Sequence, residues 1–268
     1  MSEYESRPAR GPDGIDWRRL EVATNRFSQY INEGIAKAQA EHTEIDDPTA
    51  RCIAHTLGRG LGRESCLAEF GRTGEGSYDQ LREEYLVLYC SDTASPEVKE
   101  LIDWLGTHLI HRDGHQNLRR FQNEHLPPKL ERVLVPTGVE VGDWYLTVHV
   151  PASYNRAAIE ELTATLTELQ LDKDVALQAF LNLPDVNAMS GDIMQDFHDN
   201  YIGTYMSIEE AVSELAEVDE LERDLHDYAE QRHLFIEQVT PDYEALREEA
   251  EGVYDIVERE GRVYVFYK

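Results

Sequence analysis

Apolar residues recur at helical spacing through the first half of the chain. Trp17, Leu20, Phe27, Tyr30, Ile31 and Ile35 form one stripe, which predicts a first helix. Asp47-Pro48 supplies a cap and a first-turn proline for a second helix. Ser95-Pro96 opens a third, in which Val98, Leu101, Ile102, Leu105 and Leu109 share one face. Two glycine-bearing stretches, GRGLG at 58–62 and GRTGEG at 71–76, are expected to be turns between helices.

The texture changes around Leu126-Pro127-Pro128. RVLVP (132–136), VEV (139–141) and DWYLTVHVP (143–151) are rich in β-branched and aromatic residues and bounded by Pro136, Gly138 and Gly142, so a small sheet is expected. ASYNRAAIEELTATLTELQL then reads as an amphipathic helix on Ile159, Leu162, Leu166 and Leu169, and VALQAFLNL as a short helix stopped by Pro184. Ser207 and Glu210 have capping-box spacing ahead of Ile208, Ala211, Val212 and Leu215, and the stripe can be continued through Leu221, Leu225 and Tyr228. Thr240-Pro241 starts a last helix through Tyr243, Leu246, Ala250, Val253 and Tyr254, and a turn at Glu260-Gly261 leads into the strand RVYVFYK. That strand is apolar on both faces. It is either a pairing edge that supports a homodimer or the middle of the domain's own sheet.

The expected class is α+β: a helical domain over 1–131, a small α/β unit over 132–190, and an acidic C-terminal domain over 191–268. At 268 residues and 41% hydrophobic content the chain can bury real cores. No apolar run approaches a membrane span, and MSEYESRPARGPDG lacks the apolar core of a signal peptide, so a cytoplasmic protein is expected. Cys52, Cys66 and Cys90 form an odd set without C-x-x-C spacing, which suits reduced thiols.

Charge changes the picture more than composition does. The chain holds 25 bases and 53 acids, net −28. Residues 134–268 account for 30 of those acids and 8 of the bases, net −22, which leaves −6 for the first 133 residues. Such a field repels nucleic acid and anionic membranes, so direct binding to either is not expected. Salt adaptation of the whole protein would acidify both halves, and the asymmetry counts against it. The densest stretch, SELAEVDELERDLHDYAE (213–230), sets eight carboxylates against Arg223 alone. Read as one helix it rises roughly 27 Å, about one carboxylate per 3.4 Å, which is the axial phosphate spacing of one DNA strand.

Three motifs invite chemistry and do not hold it. Neither glycine stretch has the Gly-Lys-Ser/Thr of a phosphate loop, and no parallel strand precedes either. Cys52-x-x-His55 and His108-x-x-His111 are two two-ligand pairs far apart in sequence, read as core thiols and partly exposed imidazoles. DFHDNY (196–201) and LHD (225–227) set His beside Asp, but adjacent helical residues do not face each other. No catalytic residue, metal or cofactor is expected.

Two segments carry a family resemblance. In DFHDNYIGTYMSIEEAVSELAE, Phe197, Asp199, Tyr201, Gly203, Tyr205, Ser207, Glu209 and Glu210 match the F-x-D-x-Y-x-G-x-[WY]-x-S-x-E-E segment of ArdA-type antirestriction proteins. PDYEALREEAEGVYDIVEREGRVYVF resembles the same family's closing segment, through Tyr243, Gly261, Tyr264 and Phe266. A fainter echo lies at WYLTVHVPASYN (144–155). The resemblance covers 195–268 and implies an elongated, dimeric DNA mimic, an anti-defence protein of mobile genetic elements that occupies the DNA groove of a restriction–modification enzyme, Type I first among them, or of another DNA-binding protein with a basic groove. The acidic surface would then comprise Glu209, Glu210, Glu214, Glu217, Asp219, Glu220, Glu222, Asp224, Asp227, Glu230, Glu237, Asp242, Glu244, Glu248, Glu249, Glu251 and Asp255. Two alternatives stay open: an enzyme or nucleotide-binding module in 1–131 with an acidic regulatory appendage, and a salt-adapted acidic binding protein.

Overall fold

The structure, a computed structural model, describes residues 13–62, 64–114, 127–142, 144–236 and 240–268. Its elements run α1 (Trp17–Glu41), α2 (Asp47–Leu61), α3 (Cys66–Thr73), α4 (Tyr78–Tyr89), α5 (Pro96–Arg112), β1 (Leu134–Val141), β2 (Trp144–Pro151), α6 (Arg156–Glu168), α7 (Val175–Leu181), α8 (Ile193–Asn200), β3 (Tyr201–Tyr205), α9 (Ile208–Leu215), α10 (Val218–Gln231), α11 (Tyr243–Val253), β4 (Tyr254–Arg259) and β5 (Arg262–Tyr267). This is an α+β fold dominated by helices. No helix among the described residues is long and apolar enough to cross a membrane.

The chain packs as two units. One takes in residues 1–136 and 150–159, the other 137–149 and 160–268. Its boundary falls at Pro136 rather than at 131, and the stretch 132–190 is divided between the two units. The reason is local. Ala152 N donates to Val133 O at 2.8 Å, and Arg82 Nη2 donates to Tyr154 O at 2.6 Å, so the segment after β2 is tied to the helical unit.

In the first unit the helix starts follow their caps. Asp16, Asp46, Ser65 and Ser95 each accept from a backbone amide three residues on, so α2 is capped by Asp46 and not by Asp47 as the sequence suggested. Ile53, Leu57, Leu67, Phe70, Leu81, Tyr85, Ile102 and Leu105 are fully buried. The GRGLG expectation needs correcting. Gly58 and Gly60 lie inside α2, and Gly71 lies inside α3. A methyl group at 58 would collide with the Ala68 backbone, and one at 71 would stand 2.5 Å from His55 Cβ. Gly58 and Gly71 let α2 and α3 approach closely; the turn reading holds for Gly62, at φ +128 past the end of α2, and for Gly74 and Gly76, at φ +78 and +156 past the end of α3. Helices α3 and α4 had no signal strong enough to be read from the pattern. They are joined by Glu84, whose carboxylate accepts from Ser65 Oγ (2.6 Å), Cys66 N (2.7 Å) and Leu67 N (2.9 Å), satisfying the open amides at the α3 start.

In the second unit the sheet order is β3-β5-β4, antiparallel throughout. RVYVFYK is therefore the central strand, and the pairing-edge reading is withdrawn along with the argument for a homodimer that rested on it. Burial of both faces explains its continuous apolar run. Val263 and Val265 pack with Tyr205, Ala211, Ile208 and Leu215, which seats α9 on that face. Phe266 turns to the other, where its ring lies 5.4 Å from Phe180 of α7 and 6.3 Å from Phe197 of α8.

Candidate partner-binding surface

Helix α9 begins at Ser207, whose hydroxyl accepts from Glu210 N at 3.1 Å, while Glu210 Oε2 accepts from Met206 N at 2.7 Å. The expected capping box thus forms with its return bond one residue earlier. The apolar stripe of α9 is used as expected, with Ala211 and Val212 buried and Ile208 and Leu215 half-buried.

The single helix over 213–230 does not exist. Helix α9 stops at Leu215, Glu217 takes φ +51, and α10 starts afresh at Val218. No side-chain hydrogen bond caps α10, although Asp219 and Glu220 in its first turn complement the helix dipole. At its end the backbone closes a Schellman motif: Leu234 N donates to Ala229 O at 2.8 Å and His233 N to Glu230 O at 3.0 Å, with His233 at φ +56. Only Val218 and Ala229 of α10 are buried. The continuation of the stripe through Leu221, Leu225 and Tyr228 is not packed; these side chains are 57%, 43% and 56% exposed.

The carboxylates of α10 have a definite disposition. At roughly 100° per residue, Asp219, Glu220, Asp224, Asp227 and Glu230 fall in an arc of about 140° opposite the anchoring residues. All five are exposed, whereas Glu222 lies towards the packed side and is half-buried. One base, Arg223, sits in the arc, 3.7 Å from Glu220. On α11, begun by Asp242 accepting from Ala245 N at 3.2 Å, the residues Glu244, Glu248, Glu249 and Glu251 are exposed, and Glu251 pairs with Arg247 at 2.6 Å. Glu209, Glu210, Glu214 and Glu217 are exposed around α9. Asp255 does not join the array: it is half-buried on β4 with Lys268 Nζ 3.9 Å away. Glu237 lies outside the described residues.

The family-motif residues are architectural. Phe197 stacks on Tyr201 with ring centroids 5.0 Å apart and planes at 20°, and both rings approach Phe266. Tyr201 shares a 2.6 Å hydrogen bond with Thr204 Oγ1. Gly203 sits beneath the Tyr205 ring, where a side chain would crowd it. Tyr205 is buried against Val263, and burial, then the charge of Glu214 and other neighbours, holds its hydroxyl above the usual tyrosine range. Asp199 accepts from Gln195 Nε2 at 2.7 Å. Gly261, at φ +73, makes the β4–β5 turn, and Tyr264 and Phe266 are buried on the sheet face away from α9. Tyr243 is partly exposed at the first turn of α11.

The motifs that invited chemistry are not assembled into sites. No group of three His, Cys, Asp or Glu that could hold a metal is present among the described residues. His108 Nδ1 lies 3.0 Å from Ile45 O, His55 packs edge-on against Phe27, and burial pushes the Cys52 thiol up. His198 and His226 are exposed. Sequence reasoning did not find the unpacked apolar flank of α10, because an amphipathic stripe looks the same whether or not a neighbour covers it. Comparison of the chain with protein families, with characterised proteins and with solved structures gives no match.

Proposed function

We propose that the protein is a non-enzymatic DNA mimic that inhibits a restriction–modification enzyme, of Type I, by occupying its DNA-binding groove. The observation that carries this reading is the outward arc of α10. Fourteen residues rise roughly 21 Å, and the five outward carboxylates along them give about one per 4 Å, close to the one phosphate per about 3.4 Å on each DNA strand. The exposed acids of α9 and α11 widen the array. The resemblance of 195–268 to ArdA-type proteins supports the same target class.

Clustered carboxylates repel one another at close range, so the isolated helix is held at a cost. A groove lined by lysine and arginine relieves that repulsion on binding, and release of the groove from its own DNA follows by mass action. The reading predicts mutual exclusion. Titration of a purified Type I methyltransferase with this protein should displace labelled DNA at a protein concentration that rises in proportion to the DNA present. A ternary complex of enzyme, DNA and this protein would refute it.

A further inference from the structure

The second unit also carries a feature opposite in sign to the acidic array. On the sheet face away from α9, beside the start of α7, lies an open cavity of about 530 Å³. Lys173 and Arg262 line it, together with the neutral hydrogen-bonding side chains of Gln170, Thr204 and Tyr264. Thr204 and Tyr264 are cross-strand partners on β3 and β5, so both project from the same stretch of sheet. Leu169 and Val175 add an apolar wall.

The two cations share one lining. Residues 134–268 contain 30 acids for 8 bases; three of the other bases there pair with carboxylates, Arg223 with Glu220, Arg247 with Glu251 and Lys268 with Asp255, while Arg232 and Arg259 form no ion pair with a described residue but do not line this cavity. Lys173 and Arg262 form no ion pair with any described residue; Lys173 Nζ donates to the neutral Oε1 of Gln170 at 3.1 Å. The one carboxylate in the lining, Asp174, is engaged as the cap of α7, with Oδ1 accepting from Leu177 N at 2.9 Å. The lining therefore has a net positive charge in a strongly negative domain, with further donors available from Gln170, Thr204 and Tyr264.

We infer that this cavity is a binding site for a small phosphomonoester, its phosphate held by Lys173 and Arg262 and its apolar or aromatic body against Leu169 and Val175. The volume is in the range of small-molecule sites, and two cations with neutral donors suit a dianion better than a single carboxylate charge. The inference is independent of the DNA-mimic reading, since it concerns the opposite face of the sheet.

Calorimetric titration of the full chain with phenyl phosphate at about 0.15 M salt, where surface attraction is screened, is the test. Saturable one-to-one binding is expected, tighter than that of inorganic phosphate, which lacks the apolar body, and of benzoate, which lacks the second charge. The double variant Lys173→Gln/Arg262→Gln should weaken it by about tenfold or more, from the loss of two charge-assisted contacts, while Arg247→Gln on α11 leaves it unchanged. Both side chains are exposed, so far-UV circular dichroism should show the fold intact; the two single variants, each weakened several-fold, cover the case in which it is not. Absence of saturable binding at millimolar phenyl phosphate, equal binding of all three probes, or wild-type affinity in the double variant would overturn the assignment.

Discussion

Individual residues in this protein do their work mainly by burial and capping. Asp103 is 1% exposed, accepts from Lys129 Nζ at 2.7 Å and Leu130 N at 3.1 Å, and its carboxyl is nevertheless raised above the usual range because burial outweighs those partners. A carboxyl raised in the folded state binds its proton more tightly there than when unfolded, so its contribution to stability falls as pH rises through the window between the ordinary and the raised value. Lys129→Ala removes the compensating cation and pushes the carboxyl higher still. The variant should lose about 1–3 kcal/mol at pH 7, an amount discounted because Lys129 is partly solvated, and less at pH 4. Urea denaturation at the two pH values checks this; equal losses at both would contradict it. Phe266 is a simpler case. Fully buried among Phe180, Phe197 and Tyr201, it should cost about 3–5 kcal/mol on replacement by alanine, measured by the same denaturation. The Phe266 position was legible in the strand pattern. The Asp103–Lys129 pair was not, because nothing local marks a buried carboxylate whose partner is 26 residues away.

At the scale of elements, the sequence was readable where a cap coincided with an apolar stripe and misleading where small residues carried the packing. Ser95 and Ser207 mark their helices, and α5 and α9 begin as expected, whereas α11 is capped by Asp242 and starts at Tyr243, past the Thr240-Pro241 start that the sequence suggested. Glycine is a turn signal by default, so Gly58 and Gly71 were misread; their role is visible only from the neighbouring helix. Gly58→Ala should destabilise the first unit by about 1–3 kcal/mol through overpacking, although the same change in a free helix would be favourable. A thermal melt showing stabilisation would mean that α2 and α3 are not so close. Helix α10 presents the reverse case, an apolar stripe that finds no partner among the described residues of its unit. Anchored only by Val218 and Ala229, it should exchange its amide protons faster than α9, and replacing Leu221, Leu225 and Tyr228 together by glutamine should change stability by less than about 1 kcal/mol. A large loss in that triple variant would show the stripe to be covered.

For the whole molecule, charge is the property most directly legible in the sequence, and the fold determines what it presents. Half of the −22 of residues 134–268 sits on α9, α10 and α11, which together carry −11, while Lys173 and Arg262 face the other side of the sheet. What composition alone could not supply was the break at Glu217, which turns an expected rod of eighteen residues into two helices and confines the densest charge to α10. Binding through such a surface is distributed. Changing any single acid to its amide should alter target affinity little, because each exposed charge contributes only about 0.2–1 kcal/mol. The central claim is tested most directly by competition on a purified Type I methyltransferase, comparing the wild-type chain with a variant in which Asp219, Glu220, Asp224, Asp227 and Glu230 are all replaced by amides. The account predicts that the wild type displaces DNA in direct competition and that the variant with all five changes, still folded, does so at least about five-fold less well, as summed contributions of about 1–5 kcal/mol imply. Undiminished displacement by that variant, or no displacement by the wild type, would contradict it.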